Sequence, residues 1–173
     1  RPAISIDLSD PIIHALYLKT FPRLDHDSTT IDFSKLKNRT ETEILATVYE
    51  TVTKHMNYDD TADSIVMQNR NVARDEEVPL SDYIKLGKGV CAHQGMTSAA
   101  LIEKAIEDGY LRGRVSVERN SSQEGAHAWA RYTSESGDIY IIDVAQGYFG
   151  LLRDATNNAV WDYRHPNDLQ DML

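Results

Sequence analysis

The sequence has one cysteine, Cys91, in 173 residues. It therefore has no internal disulfide and no pair of thiolates from which a structural metal site is commonly built. That count leaves the compartment open, because a single thiol is compatible with reducing and oxidising surroundings alike. No apolar stretch approaches the roughly 20 residues that span a bilayer, and no charged-then-apolar leader stands at the N-terminus. Beginning at Arg1-Pro2 rather than methionine, the chain reads as a processed product or an excised piece of something longer. Lysine and arginine number 18 against 27 aspartate and glutamate, for a net charge of -9, and they form no cluster. This argues against nucleic acid or an anionic membrane as principal partner and makes a basic or polar protein surface, on a protein or peptide substrate, the more plausible one. No charge run or glycine-serine linker divides the chain. One domain is expected over residues 1–173, with a helical N-terminal part to about residue 78, a core over 79–150 and a C-terminal extension over 151–173.

Helix signals come first along the chain. Ser9-Asp10-Pro11 reads as a helix start with Ile12, Ile13, Leu16 and Tyr17 as its apolar stripe. Thr40 and Glu43 have capping-box spacing, and Ile44, Leu45, Val48, Val52 and Met56 continue at helical period, so a helix is predicted to about His55. A polar stretch from Asn57 to Glu77 is assigned no element. Pro79 to Leu86 is predicted as a short helix before the turn Gly87-Lys88-Gly89. A longer helix then runs from Cys91 to about Asp108 and stops at Gly109, a residue suited to a left-handed C-cap.

Cys91 is thus placed at a helix N-terminus. There the macrodipole and unpaired backbone N–H groups favour the thiolate, which is the nucleophilic form. Taken alone, a lone cysteine is more commonly a small buried hydrophobe. Two further segments change the balance. Gly125-Ala126-His127-Ala128-Trp129-Ala130-Arg131-Tyr132 and Gly137-Asp138-Ile139-Tyr140-Ile141-Ile142-Asp143-Val144 both read as strands, after an alternating strand at Gly113–Arg119 and a loop from Asn120 to Gly125. A hairpin around Ser134-Glu135-Ser136, with Thr133 opposite Gly137, sets His127 opposite Asp143 on one face, with Cβ atoms about 5 Å apart. The fold class is α+β, with a cysteine-bearing helix packed on an antiparallel sheet.

Gly89-Val90-Cys91 opening a helix, Ala126-His127-Ala128-Trp129 on a strand and Ile142-Asp143 ending the next resemble the transglutaminase-like superfamily of papain-related cysteine enzymes. The resemblance covers Pro79 to Val144. It implies a papain/transglutaminase-like core, with Cys91 as nucleophile, His127 as general base and acid, and Asp143 orienting the imidazole. The implied chemistry is amide acyl transfer or hydrolysis through a thioester, with transglutaminase, deamidase and peptidase as the variants, and it uses no cofactor. The family also contains domains that have lost activity, so a non-catalytic protein-binding domain is the alternative. One departure is present: members commonly follow the aspartate with a proline-containing turn, whereas this chain reads Asp143-Val144-Ala145-Gln146-Gly147. A second oxyanion donor is usual in such sites, and Gln68, Asn69 and Tyr83 are the candidates here.

Gln94, three residues after Cys91, shares its helix face and is a candidate for substrate contact, with plain solvent exposure as the other reading. Trp129 shares the His127 face and is a candidate wall of the site, with a core role as its other reading. His93 gives a Cys-x-His spacing that a metal would need to complete with His127 and Asp143. No second cysteine or ligand pair supports this, and no metal is expected. Trp161 and Tyr163 are expected to cover the sheet.

Overall fold

Capping chemistry fixes where the helices begin and end. The computed structural model describes residues 2–22, 39–73, 76–123, 125–158, 161–165 and 168. Helix α1 (Pro11–Thr20) starts at Asp10, whose carboxylate accepts from the Ile12 N–H at 2.8 Å, and buries Ile13, Leu16 and Tyr17. Helix α2 (Glu41–His55) starts at Thr40, whose hydroxyl accepts from the Glu43 N–H at 3.2 Å. Ile44, Leu45, Val48 and Val52 form its buried stripe. Helix α3 (Ala62–Arg70) occupies the polar stretch to which the sequence reading assigned nothing. It buries only Ala62 and Val66, one residue per turn, and ends at Asn71 in the left-handed conformation with φ 56°.

Helix α4 (Leu80–Leu86) ends at Gly87, with φ 73°, and helix α5 (Cys91–Glu107) follows. Four two-residue strands, too short to carry a periodic signal, brace this region. Strand β1 (Ile4–Ser5) pairs in parallel with β3 (Val78–Pro79), and β2 (Asn57–Tyr58) with β4 (Lys88–Gly89). The second pair matters most, because Asn57 N–H donates to the Gly87 carbonyl and Asp59 N–H to that of Gly89, both at 2.9 Å. The turn entering Cys91 is thereby held to the end of α2.

The sheet is an antiparallel meander, β5 (Arg114–Ser122), β6 (Gly125–Thr133), β7 (Ile139–Asp143) and β8 (Tyr148–Leu151), in that spatial order. Strand β5 extends to Ser122, which pairs with Gly125, so Asn120–Ser122 are strand where a loop was expected. Ladder pairing with β6 overrides their weak strand propensity. On one face, Ala130, Tyr132 and Ile142 pack on Leu101, Ile102 and Ala105 of α5. Burying each large apolar side chain there contributes about 1.5–3 kcal/mol, which locks α5 to the sheet. A Cβ on Gly95 would lie 3.4 Å from the Trp129 backbone, so α5 passes close to β6 one turn after Cys91.

The opposite face carries Trp129, Ile141, Leu152, Ala155 and Tyr163, with helix α6 (Leu152–Asn158) beside it. The chain beyond α6 is pinned to β5 and β6. Arg131 donates to both oxygens of Asp168 at 2.9 and 2.6 Å, and His165 Nε2 lies 2.7 Å from Glu118 Oε2.

The β6–β7 register differs from the expected one by two residues. Thr133 pairs with Ile139, the Ser134 N–H donates to the Asp138 carbonyl at 2.8 Å, and Gly137 takes φ 92°. Gly137 is needed at the left-handed position of the three-residue turn, so it cannot serve as the first strand residue. Sliding the turn by one residue moves the register by two, and an even shift keeps every side chain on its face. Asp143 is level with Trp129, and His127 is its diagonal neighbour on the same face.

Candidate active site

The site begins with how Cys91 is held. Val90 precedes it as N-cap but has no side-chain acceptor, so the capping is done in reverse: His93 Nδ1 accepts from the Val90 N–H at 3.0 Å. The His93 ring stacks on Tyr83 at a centroid distance of 3.8 Å, and its Nε2 lies 3.4 Å from Asp63 Oδ1, which also accepts from the Tyr83 hydroxyl at 2.7 Å. Both ring nitrogens of His93 are therefore engaged in positioning the helix start, which accounts for its place two residues after Cys91.

Gly89 is part of the same arrangement. A Cβ there would sit 2.6 Å from His93 Cβ and 3.0 Å from Met56 Sδ. The Gly89-Val90-Cys91 sequence thus has a packing reason: the glycine makes room for the histidine that caps the helix. Gly89→Ala is expected to displace His93 and slow alkylation of Cys91 by about tenfold, with a stability loss of about 1–3 kcal/mol. Intact-mass kinetics with iodoacetamide and a urea melt check both. An unchanged labelling rate in a folded variant counts against the positioning argument.

The half-buried Cys91 sulfur has the His127 side chain and the backbone N–H groups of Ala128 and Ala92 as its polar neighbours. His127 Nε2 lies 2.6 Å from Asp143 Oδ2, which leaves Nδ1 as the nitrogen for the sulfur. Asp143 has its full set of partners, since Oδ2 also accepts from the Tyr163 hydroxyl at 2.7 Å and Oδ1 from the Gln146 N–H at 3.1 Å. His127, Asp143 and Tyr163 are all buried. The Gln146 bond excludes proline at 146, which would have no N–H to donate.

Opposed forces set the protonation. Burial pushes the His127 pKa down, but bonding to Asp143 and to Cys91 outweighs it and raises the value to about 9. Burial pushes the Cys91 thiol up, yet the His127 contact and the Ala128 and Ala92 N–H groups bring it below its ordinary 9.0. The two shifts share one contribution, the attraction between imidazolium and thiolate, so the pair titrates as a unit.

Cys91 and His127 open on a cleft of about 740 Å³ whose other walls include Pro2, Ile4, Tyr58, Met96 and Arg119. The remaining sequence candidates lie elsewhere. Gln94 is buried, its Nε2 donating to the Met56 carbonyl at 3.0 Å, so it braces the core and does not line the cleft. Trp129 is buried beneath the histidine, its ring 5.8 Å from that of His127 and 5.1 Å from Tyr163. Of the suggested oxyanion donors, Tyr83 is buried on Asp63, Asn69 lines a separate groove with Arg70 and Asp82, and Gln68 is exposed on α3. The reading of the sequence did not connect Tyr163 to Asp143 or His93 to the helix cap. The second was legible, because a side-chain acceptor at the third helical position is where a reach-back cap stands.

This arrangement agrees with the comparison of the whole sequence, which matches the transglutaminase-like domain over residues 28–151. The chain belongs to the transglutaminase-like family. The matched region contains Cys91, His127 and Asp143 and stops before Tyr163. A crystal structure of a TGase is similar over 90% of this chain and 33% of that one, with 17% sequence identity and a TM-score of 0.48. This transglutaminase-like chain thus spans about a third of that protein's length. No curated protein matches it.

Proposed function

We propose that this transglutaminase-like domain is a cysteine-dependent acyltransferase or hydrolase acting on an amide of a protein or peptide. The observation that carries the reading is the line Asp143–His127–Cys91, in which Asp143 holds His127 at 2.6 Å and His127 neighbours the sulfur, anchored in the core at one end and open to the cleft at the other. The thiolate attacks the amide carbon, and the developing oxyanion is met by N–H groups at the start of α5. His127 passes its proton to the leaving nitrogen as the C–N bond breaks, which releases ammonia from a glutamine side chain or an amine from a peptide bond. Water or an amine then attacks the thioester and gives its proton to His127 as the sulfur departs. Asp143 keeps the imidazole in the tautomer and orientation both steps need. Water yields deamidation or hydrolysis, and a lysine amine yields an isopeptide bond.

The pH dependence tests this. Iodoacetamide labelling of Cys91 is expected to outpace a free thiol below pH 7, because the protonated His127 beside the sulfur favours the thiolate. In His127→Ala the cation that lowers the thiol pKa is gone while burial remains, so the labelling limb moves up to about pH 8.5 or above. Amide turnover needs both the thiolate and the imidazolium. It should rise with deprotonation of Cys91 and fall again as pH passes the His127 value of about 9. Slow labelling that ignores His127 would favour a protein-binding domain with a structural thiol.

A further inference from the structure

We infer that Arg119 selects substrates carrying a carboxylate close to the reacting amide. This rests on the catalytic reading of Cys91 and adds a substrate class to it. The β5–β6 register sets Arg119 directly opposite Ala128, which neighbours the Cys91 sulfur and lines the same cleft. Cα atoms of such a pair are about 4.5–5.5 Å apart, with side chains on the same face, so the Arg119 stem starts at the wall where the sulfur rests. Its side chain is exposed and lines the cleft.

Charge makes this placement informative. The protein carries 27 acidic against 18 basic residues, yet no aspartate or glutamate is among the described residues lining the cleft. Arg70 and Arg131 are tied to Asp82 and Asp168, whereas Arg119 has no carboxylate partner among the described residues. A guanidinium with no carboxylate partner among these residues keeps its planar fork available, and that fork matches a carboxylate with two parallel hydrogen bonds. A substrate carboxylate is therefore drawn into the cleft of a protein whose net charge of -9 otherwise repels anions. The carboxylate belongs to an acidic side chain next to the acyl-donor residue or to a peptide C-terminus.

The test uses two probes of equal leaving group and similar size, anionic iodoacetate and neutral iodoacetamide, on the intact chain. Both need the same thiolate, so the ratio of their rates cancels activation of Cys91 and reports the charge of the cleft. Slow labelling by both probes counts against the catalytic reading, while the ratio still reports Arg119. Relative to the natural protein, the iodoacetate-to-iodoacetamide ratio is expected to fall about threefold in Arg119→Gln and about tenfold in Arg119→Glu at low salt, to stay within about twofold in Arg119→Lys, and to converge among all four at high salt. A ratio that is the same in the Gln and Glu variants as in the natural protein overturns the inference. Protection of Cys91 from iodoacetamide by glutamine peptides then separates the two sources. Loss of protection on Arg119→Gln with a Glu-flanked, C-terminally amidated peptide assigns the side chain, and loss only with a free C-terminus assigns the terminal carboxylate. Protection by neither peptide, or equal protection of the Gln variant, also overturns it.

Discussion

Cys91→Ala is expected to lower amide turnover by about 10⁴-fold or more while leaving the fold in place. The large effect follows from the proposed chemistry, because without sulfur there is no thioester and the amide faces water activated only by the remaining groups. The small structural effect follows from position. Cys91 is the first residue of α5 and only partly buried, and the helix start is held by His93, Gly89 and the β2–β4 pair. Stability should change by less than about 1 kcal/mol, a shift of about 2–4 °C in the melting temperature. Turnover and a thermal melt on the same preparation check the two halves. Retained turnover in a folded Cys91→Ala protein would sink the nucleophile assignment.

Asp143→Ala should be costly on both counts. The carboxylate is almost completely buried and accepts from His127, the Tyr163 hydroxyl and the Gln146 N–H. Its removal strands the His127 and Tyr163 donors in the interior, and breaking a buried ion pair from one side typically costs about 3–5 kcal/mol. The chemical loss has a separate origin. Burial pushes the His127 pKa down, and without Asp143 its main counterweight is gone, so the imidazolium loses much of its stabilisation. Turnover is expected to drop by about 10²–10⁴. Urea unfolding gives the stability term and single-turnover kinetics the other. A variant that is as stable and as active as the natural protein would show that the buried network is dispensable.

The central geometry was legible in the sequence because it depends on periods and termini. Cys91 stands where a glycine turn meets a helical period, and His127 and Asp143 stand on one face because strand alternation survives an even slip of register. The turn itself was misplaced by one residue, since Glu135-Ser136-Gly137 and Ser134-Glu135-Ser136 are both polar and only the left-handed need of Gly137 decides between them. Depth was less legible than direction. Gln94 follows Cys91 along the helix as expected, but whether that face meets solvent or the end of α2 depends on packing that periodicity does not encode. Helix α3 was missed because two buried side chains make too thin a stripe. Tyr163 could be expected to cover the sheet, but that its hydroxyl lands on Asp143 depends on chain pinned through Arg131–Asp168 and His165–Glu118.

The site gathers residues from nearly the full length of the chain. Pro2 and Ile4 form part of the cleft, and Tyr163 closes the buried end of the same line of hydrogen bonds. Neither lies within the family-matching segment, which runs from 28 to 151. The single thiol is therefore a native reporter of tertiary order at both extremities. Release of the segment around Pro2 would uncover Cys91 on the cleft side, and release of the segment around Tyr163 would disturb the charge that sharpens its reactivity. Fraying at the ends becomes readable as a change in labelling rate at one atom, with no attached probe.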